Sequence, residues 1–395
     1  MSVSPLIWGI TIVVIVALLA FDYFFHIRKA HVPTLREAAV WSAVYVGIAV
    51  LFGVLVLFLG GVTMGSEYFA GYITEKALSV DNLFVFLIII ASFGVPREDQ
   101  QKVLLFGIVF SLIARTGFIF LGAALINSFA WVFYIFGLIL LITAGNLLRP
   151  GAHGREQTEN FTVRLAKKYF HTTGRFDGDK LFTMHNGKKA LTPMLLVMLA
   201  IGGTDILFAL DSIPAIFGLT QNVYIVFTAT AFSLMGLRQL YFLIDGLLDR
   251  LIYLSWGLAA ILAFIGVKLV LHALHENNLP FINGGEPVTV IEISTDLSLG
   301  VIIGVLTVTV MASMLSKAGK AQTTINSARR HAASYLDLDY TADLAERERI
   351  YRLLTREEEQ ILEMDPKYRT KTTDIGRIRE QITEAHRQHA EYLDR

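Results

Sequence analysis

Nine stretches of the chain run for about twenty residues with few or no charges, at about 5–25, 38–60, 69–93, 103–124, 128–148, 191–214, 223–247, 252–274 and 297–316. Roughly 20 apolar residues at 1.5 Å each are needed for a helix to cross about 30 Å of hydrocarbon. The pattern therefore predicts an all-α polytopic membrane protein with about nine transmembrane helices. From residue 317 it changes: "DLAERERIYRLLTREEEQILEMD" mixes charges at helical spacing with a thin apolar stripe of Ile350, Leu353, Leu354 and Ile361. That predicts a short helical appendage over 317–395, after a transmembrane domain over 1–316 that carries a long loop at 149–190.

The charges between the spans alternate. Segments after spans 1, 3, 5 and 7 hold Arg28, Lys29 and Arg36, then Arg97 and Lys102, then a loop with Arg164, Lys167, Lys168, Arg175 and Lys188, then Arg250. Segments after spans 2, 4, 6 and 8 have almost no Lys or Arg, and one of them carries Glu276, Glu286, Glu292 and Asp296. The tail opens with Lys317, Lys320, Arg329 and Arg330. The excess of positive charge on cytoplasmic segments places the N-terminus outside, and the 149–190 loop and the tail in the cytoplasm. Because Arg28 and Lys29 follow the first apolar run rather than precede it, that run reads as a retained span and not as a signal peptide.

Composition agrees, with 54% hydrophobic residues, 17% charged residues and a mean hydropathy of +0.55. The zero net charge argues against a nucleic-acid partner, and the lipid bilayer is the partner such a composition requires. The absence of cysteine excludes disulfides, thiolate metal sites and cysteine nucleophiles.

Acids inside two apolar stretches are the chemical anomaly. "EKALSVDNLFVFLIII" places Glu75, Asp81 and Asn82 in span 3, and "GGTDILFALDSIPAIFGL" places Asp205, Asp211 and Ser212 in span 6. Each has an acid, five residues, an aspartate and a small polar residue. "FSLIART" and "FSLMGLR" extend the likeness to an internal repeat. By the charge alternation spans 3 and 6 run in opposite directions, which is the inverted repeat of many transporters, whose substrate binds between the copies. Residues six apart on a helix lie about 9 Å apart along the axis and point about 120° away from each other. Either the helix is broken, with Gly202, Gly203 and Pro214 to loosen it, or each copy gives one acid to a shared site.

The oxygen ligand set of Glu75, Asp81, Asn82, Asp205, Asp211 and Ser212 suits hard divalent cations such as Mn²⁺, Mg²⁺ or Ca²⁺. Exchange of the cation for protons follows as an expectation. Asp22 reads as a pathway group or as part of an interfacial aromatic belt, and Glu67 as an entrance or exit group. Arg115 and Lys268 read as pairing partners for the acids. Nothing in the chain arranges a nucleophile or a recognition site for an intramembrane hydrolase, so no enzyme and no bound cofactor is expected.

"EYFAGYITEKALSVDNLFVFLIII", "FALDSIPAIFGLT" and "MGLRQLYFLIDGLLDR" resemble the TerC/Alx family of bacterial membrane proteins, within the group of LysE-like transporters, over roughly residues 1–316. The resemblance implies a multi-pass protein of the bacterial plasma membrane, with manganese export, tellurium resistance and metal supply to proteins outside the cell as its associated roles. It points to Glu75, Asp81 and Asn82, and to Asp205, Asp211 and Ser212. Many relatives carry a glutamate three residues before the first aspartate of the second motif, where this chain has Gly202. Export of a divalent cation, most of all Mn²⁺, by alternating access is the leading reading, with Asp81 and Asp211 as first ligands. The other is a non-transporting scaffold of a metal or tellurite stress complex whose tail recruits partners. A homo-oligomer is compatible with either.

Overall fold

The computed structural model describes residues 3–27, 35–93, 95, 97–129, 131–148, 172–173, 178, 180–185, 188–247, 253–336, 344–366 and 375–393. The chain is helical almost throughout these residues. Helix α1 is Pro5–Asp22, continued by a π turn over Tyr23–Ile27, and α2 is Leu35–Ser92. Then come α3 (Arg97–Ser128) and α4 (Val132–Leu147). An antiparallel hairpin of β1 (Phe182–His185) and β2 (Lys188–Leu191) interrupts the helices in the long loop, which the apolar pattern left unassigned. Next are α5 (Pro193–Phe217), α6 (Val223–Leu234), α7 (Leu237–Leu247), α8 (Leu254–His275) and α9 (Thr295–Leu315). Three polar helices close the chain: α10 (Lys317–Leu336), α11 (Leu344–Glu363) and α12 (Ile375–Leu393).

Among the described residues, seven helices are long and apolar enough to cross a membrane, and α4 is apolar but shorter. One of the seven, Arg36–Leu87, has 52 residues, about 78 Å of helix and too long for one crossing. It turns at Gly61, whose φ of 85° and ψ of 175° suit glycine. The Tyr68 hydroxyl donates to the Ala49 carbonyl at 3.0 Å, and a Cβ on Gly53 would lie 2.6 Å from Phe69 and 2.7 Å from Tyr68. The two limbs of α2 thus pack back on each other and cover the predicted spans 38–60 and 69–93.

Contacts along the second limb of α2 set the directions of its neighbours. Glu67 meets Thr220, a Cβ on Gly71 would touch Ala229, and Lys76 meets Ser233 and Met235, so the limb runs parallel to α6. The same Cβ would meet Ile216, while Glu75 and Asp205 share a partner, so α5 runs antiparallel to it. Helix α5 stays helical through Gly202, Gly203 and Pro214, and the expected loosening is not there. The break falls in the next span: the backbone leaves the helix at Met235, with ψ 137°, and passes Gly236 at φ 79° before α7 begins. Gly202 instead makes room for a ring, since a Cβ there would lie 2.9 Å from Phe110.

Helices α4 and α8 touch through two glycines. A Cβ on Gly137 would lie 2.9 Å from the Gly266 carbonyl oxygen and 3.3 Å from the Val270 nitrogen, both backbone atoms that cannot step aside. Close approach through small residues is how membrane helices gain packing energy. Gly137→Leu is expected to cost about 1–3 kcal/mol by overpacking, read as a lower unfolding temperature in detergent. Gly145→Leu on the same helix, where a Cβ would meet nothing within 4 Å, should leave that temperature unchanged.

The chain divides into two compact units, Met1–Leu243 with Ser255–Leu306, and Ile244–Leu254 with Thr307–Arg395. Within the second, α10, α11 and α12 form a core from Ile325, Ala332, Tyr335, Ile350, Leu354 and Ile382, all buried. Polar pairs line the same core. His331 Nδ1 lies 2.7 Å from Glu357, and His386 Nε2 lies 2.7 Å from Glu358. His386 Nδ1 is 2.7 Å from the Tyr351 hydroxyl, and His389 Nδ1 is 2.9 Å from the Tyr335 hydroxyl. Burial holds the His389 imidazole below its ordinary value of 6.5, helped by the nearby Arg347 and His386 and opposed by Glu348. Below about pH 6.5 the unfolded chain binds a proton that the folded bundle refuses. This contribution is therefore complete above that pH and is lost as pH falls. Amide hydrogen exchange of α12, corrected for its intrinsic pH dependence, is expected to quicken between pH 7.5 and 5.5, and less so in His389→Gln. An equal response in both proteins would place the pH dependence elsewhere.

Candidate functional site

Three charges meet in the middle of the first unit. Arg115, on α3, has no exposed surface, and Glu75 and Asp205 are buried with it. The Arg115 Nη1 faces Glu75 Oε1. Its Nη2 is 3.3 Å from Asp205 Oδ1, its Nε is 3.5 Å from Asp205 Oδ2, and Nη1 donates to the Ser212 hydroxyl at 3.1 Å. One guanidinium thus ties together acids from two antiparallel helices. Ser212 lies two turns after Asp205, on the same face of α5, and the buried Asn82 stands at the same interval from Glu75 on α2. Asp211 is half-buried, and the side chain of Asp81 lies outside the described residues.

The two carboxylates carry one negative charge more than Arg115 balances. Oxygens without partners occur on the same helices and on α6. Glu75 Oε2 and the hydroxyls of Thr74, Ser79, Ser111, Thr230 and Ser233 are buried with no hydrogen-bond partner among the described residues. Ser111 is one turn from Arg115. Buried polar atoms nearly always find a partner, so an orphaned oxygen on Glu75, at a centre of net negative charge, is where water or a cation would be held. Among the described residues no three His, Asp or Glu side chains converge as a ready metal site.

Lys76, next to Glu75, was not singled out from sequence. Its ammonium donates to the carbonyls of Ser233 at 3.0 Å and Met235 at 3.3 Å, where α6 ends. A helix C-terminus carries partial negative charge and unbonded carbonyls, and the lysine supplies what both need.

Toward one end of the bundle Arg238 grips Asp22 with two bonds, Nη2 to Oδ1 at 2.7 Å and Nε to Oδ2 at 3.1 Å. Oδ1 also accepts from the Tyr45 hydroxyl at 3.0 Å and from Gln239 at 2.9 Å. Arg238 reaches Gln101 on α3 as well. Gln101 precedes Arg115 by fourteen residues, roughly 21 Å of helix. Arg238, Gln239 and Gln101 were missed; Arg238 sits in the repeated "FSLMGLR", and Arg238 and Gln239 both sit in the family-like "MGLRQLYFLIDGLLDR", the signals that could have found these two. Toward the other end, Thr220 donates to Glu67 at 2.7 Å, and Lys268 donates to Ser298 at 3.1 Å. A cavity of about 510 Å³ opens there, lined by Glu67, Thr220, Lys268, His272 and Glu292 among others.

A bundle of apolar helices with a buried charged centre, an ion pair toward one end and a polar cavity toward the other, defines an integral membrane protein with several spans. The pattern of the integral membrane protein TerC family matches residues 60–321, and the chain belongs to that family. An uncharacterized membrane protein of Mycobacterium tuberculosis is 59% identical over 373 residues, covering 93% of this chain and 94% of its own. One from Myxococcus xanthus is 38% identical over 312 residues, 79% of this chain and 93% of that protein. A protein of Escherichia coli named "Putative membrane-bound redox modulator Alx" is 36% identical over 315 residues, 78% of this chain and 93% of its own. No solved structure matches the chain.

Proposed function

We propose that the protein exports a divalent cation, most of all Mn²⁺, across the bacterial plasma membrane by alternating access between two inverted halves. The observation that carries this is the meeting of Glu75 and Asp205, from antiparallel helices, at a buried centre with surplus negative charge and unpartnered oxygens. Intramembrane carboxylates are costly, and their usual use is an ion path. Hard oxygen donors suit Mn²⁺, Mg²⁺ or Ca²⁺, and among the described residues the site has none of the thiolate or imidazole ligands that select copper or zinc. The Asp22–Arg238 pair serves as the inner closure and the cavity at Glu67 as the outer vestibule, with the N-terminus outside and the tail in the cytoplasm. Exchange against protons belongs to the same reading. The name borne by the enteric relatives fits it: this chain has no thiol to oxidise, but a carrier alters redox balance by moving a redox-active cation.

The deciding experiment is Mn²⁺ flux into proteoliposomes of the purified protein. Saturable flux is expected, abolished by Glu75→Gln, Asp205→Asn, Asp81→Asn or Asp211→Asn, and steeper under an imposed pH gradient. Flux that survives all four changes would sink the carboxylate site. One observation favours a second reading, a non-transporting scaffold: Arg115 already occupies both acids, as it would if they were structural. A folded wild-type protein without flux, whose cellular role depends on α10–α12, would select it.

A further inference from the structure

We infer that Arg115 is a built-in cation that occupies the carboxylate centre between transport cycles and is displaced by the substrate ion. The inference rests on the export reading above and concerns the same site. Its grounds are geometric. The guanidinium sits between Glu75 and Asp205, where a cation bridging the two halves would have to lie, and reaches Ser212 as well. It is held asymmetrically. Asp205 spans two of its nitrogens at 3.3 and 3.5 Å, longer than the 2.7–2.9 Å usual for a charged pair, and Glu75 meets it through one oxygen only. By contrast Arg238 holds Asp22 at 2.7 and 3.1 Å inside a set of further donors. Arg238 lies in an ion pair closed by further donors; Arg115 holds Glu75 closely and Asp205 loosely, with the second Glu75 oxygen and the Ser111 hydroxyl on its own helix left over.

Charge counting gives the device its use. Two carboxylates and one guanidinium sum to −1, and two carboxylates with a divalent cation sum to zero. If the ion and Arg115 compete, the centre is never left with two bare carboxylates, and the empty carrier can return without a full set of protons. The arginine also limits affinity, because each ion must break its bonds to enter, and it drives release when it swings back. Such a tether trades tight binding for turnover, since an ion held too well does not leave.

The test is equilibrium binding of Mn²⁺ to the full-length protein in detergent, read by electron paramagnetic resonance of the free ion, beside flux in proteoliposomes. Arg115→Gln removes the competitor and should bind Mn²⁺ about tenfold or more tighter than wild type, while its flux falls by a similar factor because release is slow. Should that variant fail to fold, Ser212→Ala keeps every charge and loosens only the tether. It should tighten Mn²⁺ binding severalfold, whereas a Ser212 that served as a ligand would weaken it. Wild-type flux together with unchanged or weaker binding in the folded variants overturns the tether and leaves the exporter. No Mn²⁺ binding and no flux in any of the proteins overturns both.

Discussion

Arg238→Met is expected to remove about 3–5 kcal/mol of stability, the usual cost of leaving one buried charge of an ion pair without its partner. Asp22 is almost fully buried, and its oxygens face Arg238, Tyr45 and Gln239. Without the guanidinium, a buried carboxylate loses the charge that faces both of its oxygens. The protein should unfold at a markedly lower temperature in detergent, and the double variant Asp22→Leu with Arg238→Met should recover much of the loss, since replacing both partners by apolar groups removes the desolvation cost as well. A double variant no better than the single one would show that packing around Arg238, and not its charge, is what the site depends on.

The second large effect is an asymmetry at the centre. Asp205→Asn leaves Arg115 facing Glu75 alone, a balanced pair, and should change stability by about 1 kcal/mol or less, the net worth of a typical hydrogen bond. Arg115→Met leaves Glu75 and Asp205 with no positive charge between them and should cost about 3–5 kcal/mol. Millimolar Mn²⁺ should restore part of that loss in Arg115→Met and do little for Asp205→Asn, because a ligand stabilises the state that binds it. Thermal unfolding with and without the ion reads both terms. Equal losses in the two variants would mean that Arg115 is held by contacts other than these acids.

Spans and tail were legible because burial in hydrocarbon leaves a one-dimensional signal: twenty apolar residues in a row, or Ile350, Leu354 and Ile361 at helical intervals. The 120° argument about residues six apart also has a physical counterpart, since the carboxylates that share a partner come one from each helix. Which acids meet was not legible. Glu75 and Asp205 are chosen by the face that α2 and α5 turn toward α3, and that depends on packing at Gly71, Gly107 and Gly202 rather than on either motif. Asp22 and Arg238 are 216 residues apart, and nothing local marks them as partners. Lys76 was given no role for a related reason, as its partners are backbone carbonyls, which have no letter in a sequence. The helix break was sought at Gly202 and Pro214, residues that disrupt helices in water. It was found at Gly236, where a positive φ is in use and a Cβ would strike Tyr45 at 2.8 Å.

That joint separates two helices that are fastened independently. Upstream of it, α6 is buried on nearly every side and its end is pinned by Lys76. Downstream, α7 is fastened at its second and third residues, Arg238 and Gln239, to Asp22. Arg238 also reaches Gln101, and the Tyr241 hydroxyl donates to Gln100 at 3.3 Å, so the start of α7 is moored to α3 as well as to Asp22. Each side of the joint thus has its own fastening, and loss of the Asp22 pair alone leaves the start of α7 tied to α3.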